Sequence, residues 1–154
     1  MKKKVKGIVA FLILAVMLLS FTGCKTNFEI KGLINNFENA CNKMDINGIL
    51  DCITPKVSEK VKMAVGIAEI FTDKSTEELL DSLSEAMLGS GWEGGIDFFK
   101  SLEIKVGDIM ANGTAASVKT TVRYGTADEK KAKEATFNCV YYTEKWYIES
   151  ISLD

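Results

Sequence analysis

The sequence of 154 residues contains no histidine, one proline and one arginine. Without imidazole, the chain has neither a Ser-His nor a Cys-His nucleophile pair, and it lacks the common catalytic zinc sites that histidines build. A general base would have to be Asp, Glu, Lys or Tyr. We find no catalytic constellation and no metal motif in the sequence, so we expect a protein that is not an enzyme of these classes.

A glycine-rich stretch, GSGWEG at residues 89–94, has the GxGxxG spacing of dinucleotide-binding loops. Such a loop needs a strand before it and a helix N-terminus after it. Here a helical pattern precedes it, so we predict a glycine-rich hinge and no cofactor.

The longest apolar run lies near the N-terminus, where four lysines and no acid precede IVAFLILAVMLLSF at residues 8–21. As a helix these residues would rise only about 21 Å, less than the hydrocarbon layer of a bilayer. A basic start, an apolar stretch of this length and small residues at its end are typical of an export signal that is later removed.

The signal ends at Thr22-Gly23-Cys24, which resembles the lipobox of bacterial lipoproteins, with Phe21 in place of the usual leucine. The resemblance implies that residues 1–23 are a signal peptide and that the Cys24 sulfur receives a diacylglyceryl group. The protein would then be extracytoplasmic, anchored by lipid to the outer face of the bacterial cell membrane. The alternative is a secretory signal followed by an incidental cysteine.

The remaining 131 residues suffice for one domain. Without the four lysines of the signal, 15 basic and 21 acidic side chains remain, which gives a net charge of −6. This balance argues against nucleic acid as a partner, since that binding needs a basic surface. It also leaves the acyl chains, rather than charge, to hold the membrane.

Three cysteines remain once Cys24 carries lipid, namely Cys41, Cys52 and Cys139. An odd number permits at most one internal disulfide, and Cys41 with Cys52 is the best candidate pair. The other interpretation is that all three are small buried apolar residues.

The first half of the domain has helical periodicity. Apolar residues at steps of three and four predict a helix over residues 27–42, which follows a short lipidated tether at residues 24–28. Asp45 then caps a short helix, Ile46 to Cys52, which Thr54-Pro55 ends. Further helical patterns cover residues 57–71 and, from a capping box at Ser75, residues 76–87.

The second half changes to a period of two, beginning with Leu102, Ile104 and Val106. Asn112-Gly113 predicts a hairpin, because both residues tolerate positive φ. The next strand has one face that is mainly apolar and one that is polar. The predicted inner face consists of Ala116, Val118, Thr120, Val122 and Tyr124, and the outer face of Ser117, Lys119, Thr121 and Arg123. Two more strands are predicted at residues 135–143 and 145–153, after a polar loop at residues 126–133.

These elements predict an α+β fold, with N-terminal helices packed on a curved, cone-like, four-stranded antiparallel meander sheet and a signal helix in front. The segments Ala40–Pro55 and Lys145–Leu153 resemble the helix entry and the last strand of the nuclear-transport-factor-two-like, or cystatin-like, superfamily. The domain would span residues 29–154.

The resemblance implies a cone between sheet and helices that often holds a small apolar ligand, and Trp92, Tyr124 and Tyr142 could line it. Some members of the superfamily are isomerases or dehydratases that use an aspartate or an Asp-His pair. This chain has no histidine, and Asp97 and Asp108 are the aspartates near predicted strand ends.

We therefore expect a non-catalytic binding or interaction module for a small apolar molecule or an envelope protein. One alternative is a small isomerase or lyase with an aspartate base in the cone. Another is an oligomeric envelope scaffold, such as a homodimer that pairs through its sheet. The polar outer face of the second strand argues against this last alternative.

Overall fold

The computed structural model describes residues 24–59, 95–126 and 129–153. The predicted signal peptide lies outside these residues, as do most of the helical pattern after residue 57, the capping box at Ser75 and the glycine-rich stretch. Among the residues that are described, no helix has the length and apolar character needed to cross a membrane.

The first helix, α1, covers residues 24–42 and therefore includes the segment that we predicted to be a tether. Its predicted apolar face is buried, as the positions at steps of three and four require. These buried residues are Ile30, Leu33, Ile34, Phe37, Ala40 and Cys41.

The end of α1 is closed by two backbone hydrogen bonds. Met44 N donates to Cys41 O at 2.8 Å, and Asp45 N donates to Ala40 O at 2.8 Å. This is the Schellman pattern, in which the residue after the helix takes a left-handed conformation. Met44 has a φ of 56°, so a methionine occupies the position where glycine is favoured.

The second helix, α2, spans Ile46–Cys52 as predicted. Asp45 is its N-cap, since the carboxylate accepts a 3.0 Å hydrogen bond from Gly48 N. The chain then joins the sheet, because Ile53 forms a parallel bridge with Ile148 in the last strand. A further helix, α3, is described over residues 55–59.

The rest of the described chain is a short helix followed by the sheet. Helix α4 is Gly95–Lys100, and the strands are β1 (Glu103–Asn112), β2 (Ala115–Gly125), β3 (Lys130–Tyr142) and β4 (Lys145–Leu153). The strands pair antiparallel in the order β1-β2-β3-β4. The predicted four-stranded meander is therefore confirmed.

Two details of the strands differ from the sequence prediction. Strand β3 begins at Lys130 rather than at residue 135, because its charged start pairs with β2 as far as Gly125. In the first hairpin the turn residues are Gly113 and Thr114, and only Gly113, at 61°, has a positive φ there. Asn112 instead ends β1 and pairs with Ala115.

The sheet is curved, and the strand register contains two irregularities at which the strands bend. One shift lies between Val106 and Ile109 of β1, and another lies opposite Asn138 and Cys139 of β3. In each case one strand carries an extra residue, which bends the strand and increases its twist. The curvature lets the sheet wrap around α1.

The core lies between α1 and the inner face of the sheet. Phe37 packs edge-on against Phe137, with ring centroids 6.0 Å apart. Polar side chains of α1 also bind the start of β1 at the edge of this core. The Glu38 carboxylate accepts a 2.9 Å hydrogen bond from Ile104 N. The Asn42 amide donates to Leu102 O at 2.9 Å. Strand β1 is thereby held against the C-terminal half of the helix.

Candidate functional site

A groove of about 790 Å³ lies between α1, α2 and the β3–β4 hairpin. Four carboxylates and two amines line it, together with amides and apolar side chains. The acids are Glu29, Asp45, Asp51 and Glu144, and the amines are Lys43 and Lys145. Its apolar lining includes Phe28, Leu33, Ala40, Cys52 and Trp146.

One wall of the groove is the junction of α1 and α2, where a glycine allows a close approach. A Cβ on Gly48 would lie 2.6 Å from Asp45 Oδ2 and 3.0 Å from Ala40 Cβ. A side chain at position 48 would therefore require the cap carboxylate to move. The compact junction places Lys43, Asp45 and Gly48 together on the groove wall.

The opposite wall is the β3–β4 hairpin, and Lys145 connects it to α2. The Lys145 amine donates a 3.0 Å hydrogen bond to Asp51 O and lies 5.0 Å from the centroid of the Tyr147 ring. Both contacts hold the cation in place, one as a charged donor and the other through the aromatic face. The groove thus has a fixed positive charge among its carboxylates.

Non-glycine residues with left-handed backbone conformations lie at both walls. Met44 joins Lys43 to Asp45, and Thr143 and Glu144, with φ of 47° and 65°, precede Lys145. These are the non-glycine residues with positive φ in the described part of the chain. Such strain persists where the surrounding structure enforces it, and it clusters at functional sites.

Cys52 is one of the lining residues of the groove and is buried. Burial raises its pKa to about 11, although the nearby Lys145 amine acts in the opposite direction. The thiol is therefore protonated at neutral pH and is a poor nucleophile.

The predicted lipidation residue, Cys24, lies at the first described position of α1 and is exposed. The other three cysteines, Cys41, Cys52 and Cys139, are buried free thiols. In the structure these three cysteines are therefore small buried apolar residues, and Cys41 and Cys52 do not form a disulfide.

Of the three aromatic residues predicted to line a cone pocket, the structure describes Tyr124 and Tyr142, which lie at different ends of the sheet. Tyr124 is half-buried on the inner face near the end of β2, where its ring lies 5.3 Å from Phe98. Tyr142 ends β3 beside the hairpin turn and is 58% exposed. Trp92 lies outside the described residues.

Of the two aspartates near predicted strand ends, Asp108 does not form a site with Tyr124. Asp108 is exposed at the irregularity of β1, whereas Tyr124 lies at the far end of the neighbouring strand. The side chain of Asp97 lies outside the described residues. Within the described residues, no group of three His, Cys, Asp or Glu side chains could hold a metal ion.

The interior between α1 and the sheet is filled by side chains in the part that is described. The largest fully buried ones include Phe99, Phe137, Ile30, Ile34 and Ile148. Even the buried hydroxyl of Thr120 is satisfied, since it donates to Ala135 O at 3.1 Å. This packing argues against a ligand in that part of the cone and directs attention to the groove.

The outer face of the sheet is polar at its centre, as predicted from β2. Lys119 and Arg123 are exposed, and Glu103 of β1 forms an ion pair with Lys130 of β3. Met110 is 57% exposed and lies on this face at the hairpin end.

Comparison with known proteins gives a fold but no activity. No protein family model and no curated protein matches the chain. Among solved structures, an NTF-2 like protein of unknown function from Shewanella oneidensis has a TM-score of 0.55 and 14% identity. The match covers 83% of this chain and 98% of that one. An NTF2-like protein of unknown function from Pseudomonas putida has a TM-score of 0.51 and 13% identity, over 85% and 87% of the two chains.

The fold is NTF2-like. Identities this low establish the shared fold alone, which agrees with the helices followed by a curved four-stranded antiparallel sheet. A SEC-C motif protein from Rhodopseudomonas palustris is also similar, with a TM-score of 0.51 and 11% identity over 79% and 77% of the two chains.

The groove of the NTF2-like domain was not predicted from the sequence. Local patterns predicted several of its parts, including the Asp45 cap, α2 and the strand that begins at Lys145. Asp51 and Lys145 are 94 residues apart, however, and the contact between them has no local signature. The positive φ values of Met44, Thr143 and Glu144 at the two turns are visible only in the structure, so they gave no sequence signal for the groove.

Proposed function

We propose that the protein is a lipoprotein, held by lipid on Cys24 at the outer face of the bacterial cell membrane, with a non-catalytic binding module as its domain. The groove between α1, α2 and the β3–β4 hairpin is its binding site. The observation that supports the groove as the site is the position of the strained turns: Glu144 lines the groove, and Met44 lies between the lining residues Lys43 and Asp45.

The lining of the groove favours a polypeptide partner from the envelope over a purely apolar small molecule. Carboxylates, amines and the side-chain amides of Asn36 and Asn39 alternate with apolar surface from Leu33 and Trp146. A peptide segment offers charges of both signs, backbone donors and acceptors, and apolar side chains. Because Lys145 is already held by Asp51 O, part of the polar surface is preorganised for binding.

The lipid anchor is supported by the sequence before the domain and by the exposure of Cys24. A diacylglyceryl group supplies two chains, and each buried methylene contributes about 0.8 kcal/mol, which is enough for stable anchoring. An exposed position at the start of α1 leaves the sulfur accessible to such a modification.

Photocrosslinking from adjacent positions of α1 tests the groove. Asn36 lines the groove and is exposed, whereas Asn35 is exposed but does not line it. We would place p-benzoylphenylalanine at each position of the full chain in bacterial cells and irradiate them. A polypeptide adduct is expected from position 36 and not from position 35. Equal adducts from both positions, or none from position 36, would contradict the proposed site.

A further inference from the structure

Phe28 is the most exposed of the large apolar side chains in the described part of the chain. It is 79% exposed, compared with 58% for Tyr142 and 57% for Met110. Phe28 therefore has little contact with the core, and most of its ring is available to a surface outside the domain.

The position of Phe28 relative to Cys24 indicates what that surface is. The two residues are four apart on a continuous helix, so they lie on the same face and about 6 Å apart along its axis. Because residues 24–28 are helical rather than an extended tether, a lipid on Cys24 would hold the first turns of α1 close to the bilayer.

The charges around Phe28 suit a phospholipid surface. Lys25 and Lys31 lie three residues before and three residues after it, and both are exposed. The one acid in these turns, Glu29, pairs with Lys25 at 3.7 Å. An aromatic side chain flanked by lysines is the composition found where helices lie in a membrane interface.

We propose that the first two turns of α1 rest on the outer phospholipid leaflet, with the Phe28 ring inserted at the level of the headgroups. This inference rests on the proposed lipidation of Cys24. The acyl chains supply the affinity, while Phe28 and the two lysines set the orientation of the domain.

This orientation has a consequence for the groove. Phe28 and Glu29 form part of its lining, so the groove opens beside the membrane surface. The partner segment that fits this placement is a membrane-proximal stretch of an envelope protein.

Depth-dependent fluorescence quenching tests the contact in the full, processed chain. Phe28→Trp and Asn35→Trp variants would be purified from bacterial membranes and reconstituted in phosphatidylcholine–phosphatidylglycerol vesicles, with and without brominated acyl chains. The spectrum of the parent protein, which contains Trp92 and Trp146, is subtracted. Asn35 is the matched control, since it is exposed on α1 about 10 Å further along the axis.

The added emission from position 28 should shift to the blue and be largely lost with brominated lipid, while that from position 35 should be unchanged. A chain that carries the lipid by intact mass but shows no quenching at position 28, or equal quenching at both positions, overturns this inference and leaves the lipid anchor standing. A chain without the lipid overturns the anchor and this inference together.

Discussion

Burial controls the chemistry of the three cysteine side chains of the domain. Burial raises the pKa of Cys139 to about 12 and that of Cys52 to about 11. The pKa of Cys41 is also raised, mainly by burial and to a smaller extent by the neighbouring Cys52. In the folded protein all three thiols therefore remain protonated at neutral pH and behave as small apolar side chains.

The raised thiol pKa values predict a loss of stability in alkali. An unfolded thiol releases its proton near its ordinary pKa of 9.0, whereas the folded Cys139 keeps it up to a pH of about 12. The stabilisation is therefore complete below pH 9 and is lost as the pH rises through this window. Each thiol should lower the free energy of unfolding by roughly 1 kcal/mol between pH 8 and pH 10, measured by urea unfolding.

The variant Cys139→Ala separates this effect from the titration of lysines and tyrosines. The variant will be less stable than the parent at both pH values because it leaves a small cavity. The informative quantity is the difference in the free energy of unfolding between pH 8 and pH 10. In the variant this difference should be smaller than in the parent by the contribution of one thiol. An unchanged difference would mean that the Cys139 thiol does not contribute.

Among the elements, the β3–β4 hairpin departs from the usual residue preferences. Its two turn residues, Thr143 and Glu144, both have positive φ, which defines a type I′ turn. Asn-Gly is the preferred pair for this geometry, since a side chain in the left-handed region costs about 1–2 kcal/mol. The first hairpin avoids this cost by placing Gly113 at its first turn position.

Replacing the strained turn should therefore stabilise the domain. The double variant Thr143→Asn/Glu144→Gly should raise the free energy of unfolding by about 1–2 kcal/mol, as read from the urea midpoint at constant slope.

Glu144→Ala is the control for this turn variant, because it removes the same side chain but keeps a Cβ in the left-handed region. It should give no gain. If the alanine variant were as stable as the double variant, the relief of backbone strain would not be the cause.

At the scale of the whole molecule, two parts of the chain have separate roles in the proposed function. The NTF2-like domain provides the groove, and the segment that ends at Cys24 provides the cellular location. Phe28 links the two, because it belongs to the helix that begins at Cys24 and also lines the groove.

The location is tested by Cys24→Ser in a bacterial host. The parent should have the intact mass of a chain that begins at residue 24 and carries a diacylglyceryl group. The variant should lack this mass, since a hydroxyl cannot form the thioether and the signal is then not removed at this site. Thr22→Ala keeps a small residue before the cysteine and should be processed like the parent. Equal processing of Cys24→Ser and the parent would refute the lipoprotein proposal.

Much of the architecture was determined by the sequence alone, because periodicity is a local property. The helix Ile46–Cys52 with its Asp45 cap, the alternation of inner and outer faces along β2, and the four-stranded meander all follow from spacing. The absence of histidine likewise excludes whole classes of catalytic site without any coordinates.

Only the tertiary structure decided the points that depend on pairing between distant residues. The charged start of β3 at Lys130 has weak strand propensity, and it becomes a strand because β2 provides the hydrogen-bonding partner. The groove exists because Ile53 bridges to Ile148 and Lys145 reaches Asp51 O, which joins α2 to the last hairpin. No local pattern encodes such contacts, since their free energy is gained only when both segments are already folded.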